Sequence, residues 1–115
     1  LYSTIAVKQG FTNHTIVSTA KGAIEGLTLS LAAESAPKIK VNWIAPSLTD
    51  AKMTQKLLNN ETIKKAIVNM HPLPKIGSGD DFSDIGSFLL SDKNSWITGQ
   101  IFHIDGGRSS LRIKS

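Results

Sequence analysis

The sequence predicts an α/β fold built around a parallel sheet. Three short apolar segments, at residues 1–7, 39–46 and 97–104, have the length and β-branched content of buried strands. Longer segments with helical periodicity separate them. Because alternating strands and helices bring successive strands back in the same direction, we expect a parallel sheet with right-handed crossovers.

One long helix is predicted after the first strand. Residues 8–13 form a polar loop, and Asn13 or Thr15 is expected to cap a helix that ends at about Ser35. Apolar residues spaced 4, 3 and 4 apart form one stripe of this helix: Ala20, Ile24, Leu27 and Leu31. Small residues form a second stripe: Gly22, Ala23, Gly26, Ser30 and Ala33. Glycine costs about 1 kcal/mol relative to alanine inside a helix, so the small stripe indicates close packing against either the sheet or another helix.

The middle of the chain predicts a strand, a loop and one or two helices. Pro37 ends the helical region, and a strand runs from residue 39 to Pro46. An irregular loop follows at 47–53. The segment 54–70 has helical character that is interrupted near Asn60, whose side chain can cap a second helix.

The last third of the chain predicts one helix and the final strand. Residues 71–74 contain two prolines and are not helical throughout, because proline disfavours a helical residue before it. Ser78 with Asp81 three residues later resembles a capping box that opens a helix to about Leu90. The strand 97–104 is closed by the sequence Asp-Gly-Gly at 105–107.

Composition excludes several classes of protein. The chain has 115 residues, of which 40% are hydrophobic and 19% charged, which is typical of one globular unit without repeats or linkers. No apolar run is long enough to span a bilayer, and the net charge of +4 is too scattered for a nucleic-acid surface. The absence of cysteine excludes disulfides and thiolate metal sites, the three histidines lack metal-ligand spacing, and we expect a cytoplasmic protein.

Four segments, in order along nearly the whole chain, resemble the C-terminal half of the short-chain dehydrogenase/reductase family. They are the strand-end serine motif at 3–6, the active-site lysine segment at 20–28, the turn similar to R-V-N-x-I-x-P-G at 40–47, and the last strand with its D-G-G ending at 96–107. The resemblance implies a doubly wound Rossmann-type parallel sheet. This chain would supply its last three strands and their flanking helices.

The resemblance also implies hydride transfer between NAD or NADP and a small carbonyl or alcohol substrate. Lys21 matches the family's active-site Lys, which binds the nicotinamide ribose and lowers the pKa of a catalytic Tyr one helical turn earlier. That Tyr position is Val17, and the Ser that holds the substrate oxygen is matched by Thr4. Val17 has no proton to donate. His14, with a reference pKa of about 6.5, is therefore either a substitute proton donor or simply a loop or cap residue.

The turn after the second strand matches the family's cofactor contacts in part. Pro46 is present, Ser47 stands where the family has Gly, and Thr49 lies where a Val or Ile meets the nicotinamide carboxamide through its backbone. The Thr that follows in the family is Ala51 here. Lys21, Pro46, Ser47 and Thr49 are thus the candidate cofactor contacts, whereas His71 and His103 suggest only structural roles.

The family's glycine-rich dinucleotide cradle has no counterpart in these residues, since neither 77–79 nor 106–107 forms G-x-G-x-x-G after a strand. We expect the chain to be part of a longer protein, and we expect no cofactor binding by this chain alone. Two functions remain open: part of an NAD(P)-dependent oxidoreductase with an atypical site, or an inactive relic that acts as a binding or oligomerisation module. The resemblance implies a homo-oligomer through the helix around Gly22–Ala33.

Overall fold

A computed structural model describes residues 1–113. After a short 3₁₀ helix at Ile5–Val7, the elements in chain order are α1 (Thr15–Ser35), β1 (Trp43–Pro46), α2 (Gln55–Leu58), α3 (Glu61–Asn69), α4 (Asp80–Leu90) and β2 (Ile101–Ile104). This order confirms the predicted α/β class.

The sheet is parallel, as the sequence predicted. β1 pairs with β2 in a parallel register that places Trp43 opposite Ile101. Tyr2 adds a parallel bridge to Ile44 on the other side of β1. Three parallel segments therefore lie side by side with β1 in the middle, where Ile44 and Ala45 are buried.

The first predicted strand is wrong over most of its length. Only Tyr2 pairs with β1, through hydrogen bonds from the Ser3 N–H to the Ile44 oxygen and from the Ile44 N–H to the Leu1 oxygen, both 2.9 Å. The chain then turns into the 3₁₀ helix at Ile5–Val7, whose first turn is capped by Thr4. Apolar content alone does not distinguish a strand from a buried turn.

Both remaining strands begin later than predicted, at 43 and 101 rather than 39 and 97. In the lost positions a backbone bond remains, from the Gly99 N–H to the Val41 oxygen over 2.7 Å, and side chains replace others. The Val41 N–H donates to the Thr98 hydroxyl over 3.0 Å, and the Gln100 N–H donates to the Asn42 side-chain oxygen over 3.0 Å. These segments are extended neighbours without being regular strands.

Helix α1 ends at Ser35 as predicted, but its N-cap is His14 rather than Asn13 or Thr15. Asn13 has a φ of 62°, a left-handed conformation that turns the chain into the helix. The His14 side chain makes no capping hydrogen bond to the helix. The first turn is therefore held by contacts elsewhere along α1.

The predicted apolar stripe of α1 does not face the core, since Leu27 is 53% exposed and Leu31 is also exposed. The face that packs against the chain is polar and small, and it has the same spacing shifted by one residue: Ser18, Lys21, Gly22, Glu25, Thr28 and Ala32. The Ser18 hydroxyl donates to the Ala6 oxygen over 3.0 Å, and the Ser3 hydroxyl donates to the Glu25 carboxylate over 2.5 Å. Hydrogen bonds thus orient α1, and the apolar stripe is not the face that packs against this chain.

The predictions for the other helices are largely confirmed. The break at Asn60 separates α2 from α3, and the Asn60 side-chain oxygen accepts from the Ile63 N–H over 3.1 Å. The capping box is half formed. The Asp81 carboxylate accepts from the Ser78 N–H over 2.7 Å, as a capping box requires, but the Ser78 hydroxyl donates to the Asp81 carboxylate instead of accepting from the Asp81 N–H.

Within residues 1–113 no helix is both long and apolar enough to cross a membrane.

Candidate functional site

The carboxyl ends of the parallel segments meet at one edge of the sheet. Thr4 follows the Tyr2 bridge, Ser47 follows β1 and Asp105 follows β2. A cavity of about 150 Å³ opens at this edge beside the last two of these residues. In open α/β sheets ligands bind outside this edge, so it is the candidate site.

Lys21 and Thr4 lie at the first segment of this edge. The Lys21 ammonium group donates to the Tyr2 backbone oxygen over 3.2 Å. The Thr4 hydroxyl oxygen accepts from the Ala6 N–H over 3.4 Å, which leaves its own proton free to donate. The structure therefore brings both predicted residues to one end of the same backbone segment.

Val17 and His14 lie on the exposed beginning of α1. Val17 is 46% exposed and stands one helical turn before Lys21. The Nδ1 atom of His14 lies 2.8 Å from the Thr12 oxygen, and the ring packs edge-on against Phe11 at 5.5 Å between ring centroids. His14 is thus held by its own loop at the N-cap position of α1.

The turn after β1 contains the other predicted contacts. The Thr49 hydroxyl donates to the Ser47 backbone oxygen over 3.0 Å, and Thr49 forms a parallel bridge with Gly77. Among the described residues the Thr49 N–H finds no partner. Ser47 and Thr49 line the cavity, whereas Lys21, Thr4 and His14 do not.

Ser47 is the centre of a hydrogen-bond cluster that the sequence did not predict. Its hydroxyl lies 2.8 Å from Nε2 of His71 and accepts from the Arg108 guanidinium over 3.2 Å. The other ring nitrogen of His71 lies 2.8 Å from the Ile67 oxygen, and His71 is 4% exposed. Arg108 also stacks 5.0 Å above the Phe11 ring.

The Asp-Gly-Gly ending of β2 forms a tight turn that positions Arg108. The Asp105 carboxylate accepts from the Gly107 N–H over 2.9 Å and from the Ser109 N–H over 3.1 Å. Burial raises the pKa of Asp105, but hydrogen bonds from Ser109 and Gly107 outweigh it and hold the pKa below its usual value. Gly106 and Gly107 have φ values of 61° and 86°, which few other residues adopt.

No signal in the sequence located the His71 cluster. His71 lies 24 residues from Ser47, and Arg108 lies 61 residues from it. The one available sign was the Ser at position 47 of a turn where the resembling family has Gly, because a partly buried hydroxyl needs partners. Which partners it finds depends on the fold.

The chain matches a family model described as enoyl-(acyl carrier protein) reductase over residues 1–109. It is 35% identical over 106 residues to L-xylulose reductase of Bos taurus, covering 91% of this chain and 43% of that protein. It is 42% identical over 88 residues to a 3-oxoacyl-(acyl-carrier-protein) reductase of Rickettsia felis, covering 76% of this chain and 36% of that protein. The chain thus spans less than half the length of these relatives.

Solved structures share the architecture. A short-chain type dehydrogenase/reductase from Mycobacterium ulcerans matches with a TM-score of 0.87 and 28% sequence identity. The match covers 96% of this chain and 41% of that protein's chain. The protein ElxO, solved with NADP bound, matches with a TM-score of 0.86 and 33% sequence identity. The match covers 96% of this chain and 45% of the ElxO chain. Because the family model matches residues 1–109 and these solved structures share the architecture, the chain belongs to the short-chain dehydrogenase/reductase family.

Proposed function

We propose that this chain is one unit, the C-terminal half of an NAD(P)-dependent oxidoreductase that acts on a small carbonyl or alcohol in the cytoplasm. The observation that carries the proposal is the contact of Lys21 with the strand segment that leads to Thr4, in a member of this family. The chain alone is proposed to bind no dinucleotide, because the glycine-rich cradle would lie in the preceding half.

An apolar groove supports the assignment to the C-terminal half. It has a volume of about 220 Å³ and lies between the Tyr2 segment, residues 40–44 and α4. Leu1, Tyr2 and Leu90 line it, and all three are exposed. A preceding strand and helix would pack against this groove and cover these residues.

The residues of the turn after β1 fit a nicotinamide dinucleotide. The unpartnered Thr49 N–H is a donor of the kind that a carboxamide oxygen accepts. Pro46 and Ser47 hold the turn at the carboxyl edge, and the Lys21 ammonium group can exchange its bond to the Tyr2 oxygen for ribose hydroxyls. The dinucleotide, when bound, supplies or accepts the hydride.

The site is proposed to be weak in proton transfer. Reduction of a carbonyl leaves a developing alkoxide that needs a proton or strong hydrogen bonds. Thr4 offers one neutral O–H, Lys21 acts through its charge, and Val17 offers nothing. His14 is the remaining candidate donor, through the Nε2 atom that its contact with Thr12 leaves unused.

The test is dinucleotide binding by the full-length protein, measured by titration calorimetry with NADH and with NADPH. Lys21→Met should weaken binding about tenfold or more, since a charge-assisted contact is lost. Lys38→Met, at an exposed lysine beyond α1, is the matched control and should bind as the wild type does. Failure of the wild type to bind either dinucleotide would refute the oxidoreductase proposal.

A second candidate function is a binding or oligomerisation module, and Val17 favours it because the usual proton donor is absent. The exposed small stripe of α1 fits a homo-oligomer interface. A methyl group added at Gly26 would meet nothing within 4 Å in this chain, so the surface there is open to a partner helix. Binding of dinucleotide without turnover in both the wild type and Val17→Tyr would favour the module.

A further inference from the structure

Two side chains from different parts of the chain converge on the Ser47 hydroxyl. His71 follows α3, Arg108 follows β2, and Ser47 follows β1. The hydroxyl oxygen is 2.8 Å from Nε2 of His71 and 3.2 Å from Nη1 of Arg108. The turn after β1 is therefore tied to two elements besides its own strand.

The direction of each hydrogen bond follows from its partners. The Ile67 backbone oxygen can only accept, so the Nδ1 atom of His71, 2.8 Å away, carries the proton. In the neutral ring Nε2 is then an acceptor, and the Ser47 hydroxyl must donate to it. Arg108 can only donate, so the same hydroxyl oxygen accepts from Arg108. Each donor in this chain of hydrogen bonds faces an acceptor.

Burial makes the arrangement costly to break. His71 is 4% exposed, so water has little access to Nε2 if Ser47 is lost. Arg108 is also held from its other side, by the Met70 sulfur at 3.5 Å and by the ring of Phe11. Charged groups near the cluster are Asp105 beside Arg108, and Lys75 with Asp81 across the cavity.

We propose that His71 and Arg108 are positioning residues, which hold Ser47 and thereby fix the turn after β1 in the form that receives the dinucleotide. The proposal rests on the function proposed above. It assigns the two residues no contact with substrate. A Gly at position 47, as the family pattern has, would have no side chain to be held in this way, so the cluster is a property of this chain.

The test compares the dinucleotide dissociation constant with kcat in the full-length protein. His71→Phe and Arg108→Lys should each weaken NADH or NADPH binding about tenfold with a smaller change in kcat, because a mobile turn lowers binding rather than chemistry. His71→Gln keeps an acceptor and should recover part of the loss. Arg112→Lys, at an exposed arginine, is the matched control and should change nothing.

A double variant separates positioning from general packing. If His71 acts through Ser47, then His71→Phe should add little to the weakening already caused by Ser47→Gly. Additive effects, or an unchanged dissociation constant in both positioning variants, would overturn the proposal.

The His71 tautomer gives a readout that does not depend on cofactor. Imidazole ¹⁵N NMR of the full-length protein at about pH 8, where a histidine of ordinary pKa is neutral, should show the proton on Nδ1. A proton on Nε2 would overturn the cluster. If the tautomer is as expected but neither dinucleotide binds, the proposed function fails while the hold on Ser47 stands.

Discussion

The turn after β1 and the beginning of α1 both resemble segments that carry site residues in the family, yet they differ in how firmly they are held. Ser47 has two hydrogen-bond partners from distant elements, and one of them is almost fully buried. Val17 stands on an exposed helix turn and has no polar group. The first region has side-chain contacts at Ser47, where the family pattern has Gly, whereas the second has Val17, where that pattern has Tyr.

This difference suggests that binding and proton transfer are separable in this fold. The turn and Lys21 are held by backbone geometry and by hydrogen bonds between distant segments, none of which involves the Val17 side chain. Proton donation depends on one side chain. A protein of this kind can keep a cofactor site while its rate falls by the contribution of one acid, about 10²–10⁴.

Restoring the missing acid should have the largest effect. In the full-length protein Val17→Tyr places a phenol one turn before Lys21, and we expect the rate of carbonyl reduction to rise by about 10²–10⁴. Val17→Phe adds the ring without the hydroxyl and is the matched control. Steady-state kinetics with a panel of small ketones measures both. Equal rates for the two variants would show that the phenol is not the missing element.

Loss of the buried Asn94 should have the largest effect on stability. Asn94 is 1% exposed, and its amide donates to the Leu89 and Ile97 oxygens and accepts from the Ile97 N–H over distances of 3.0 to 3.2 Å. Asn94→Ala removes the side-chain partner of the Leu89 oxygen and of the Ile97 N–H, whereas the Ile97 oxygen keeps its bond from the Asn42 amide, and the free energy of unfolding should fall by about 2–4 kcal/mol. Denaturant unfolding of the full-length protein checks this, with the exposed Asn69→Ala as control. Equal stability of the two variants would contradict the role of Asn94.

The open stripe of α1 should show a smaller effect, on association. A Cβ added at Gly26 meets nothing within 4 Å among residues 1–113, so any loss in Gly26→Leu must come from a surface outside these residues, and we expect association to weaken by about 1–3 kcal/mol. Gly26→Ala adds only one methyl group and is the control. Analytical ultracentrifugation measures the oligomer. A variant that keeps both its oligomeric size and its melting temperature would exclude close packing at this stripe.

Acid should destabilise the site edge slightly. The pKa of Asp105 is lowered in the fold by its hydrogen bonds, after burial opposes them, and that of Asp81 is lowered by hydrogen bonds from Lys75 and Ser78. Because the unfolded carboxyls bind protons more readily, this stability is complete above about pH 4 and is lost as the pH falls below that. Urea unfolding at several pH values should show a weaker acid dependence for Asp105→Asn than for the wild type. An identical dependence would contradict this assignment.

The sequence predicted the class, the parallel sheet, the end of α1 and the break at Asn60, because these depend on periodicity and local capping. It did not identify the inner face of α1, since Ser18, Lys21 and Glu25 face inward through hydrogen bonds to the preceding segment. Both faces have helical spacing, and hydrophobicity favours the one that this chain leaves exposed.

The candidate site was predicted in the same uneven way. The structure places Thr4 and Lys21 at the first segment, and Ser47 and Thr49 at the cavity, and their roles as contacts stay predictions. The partners of Ser47 were missed because they come from residues 71 and 108. Contacts over such sequence distances follow from the tertiary fold and have no local pattern.

The most direct test is the rate of hydride transfer in the full-length wild-type protein with saturating dinucleotide, compared with His14→Ala. Stopped-flow absorbance of the reduced nicotinamide follows the step. The account predicts that dinucleotide binds, that transfer to small ketones is slow, and that His14→Ala leaves the rate unchanged within about twofold, a change worth only about 0.4 kcal/mol. Fast transfer that His14→Ala abolishes would show that His14 has replaced the missing acid, and would contradict the separation of binding from proton transfer.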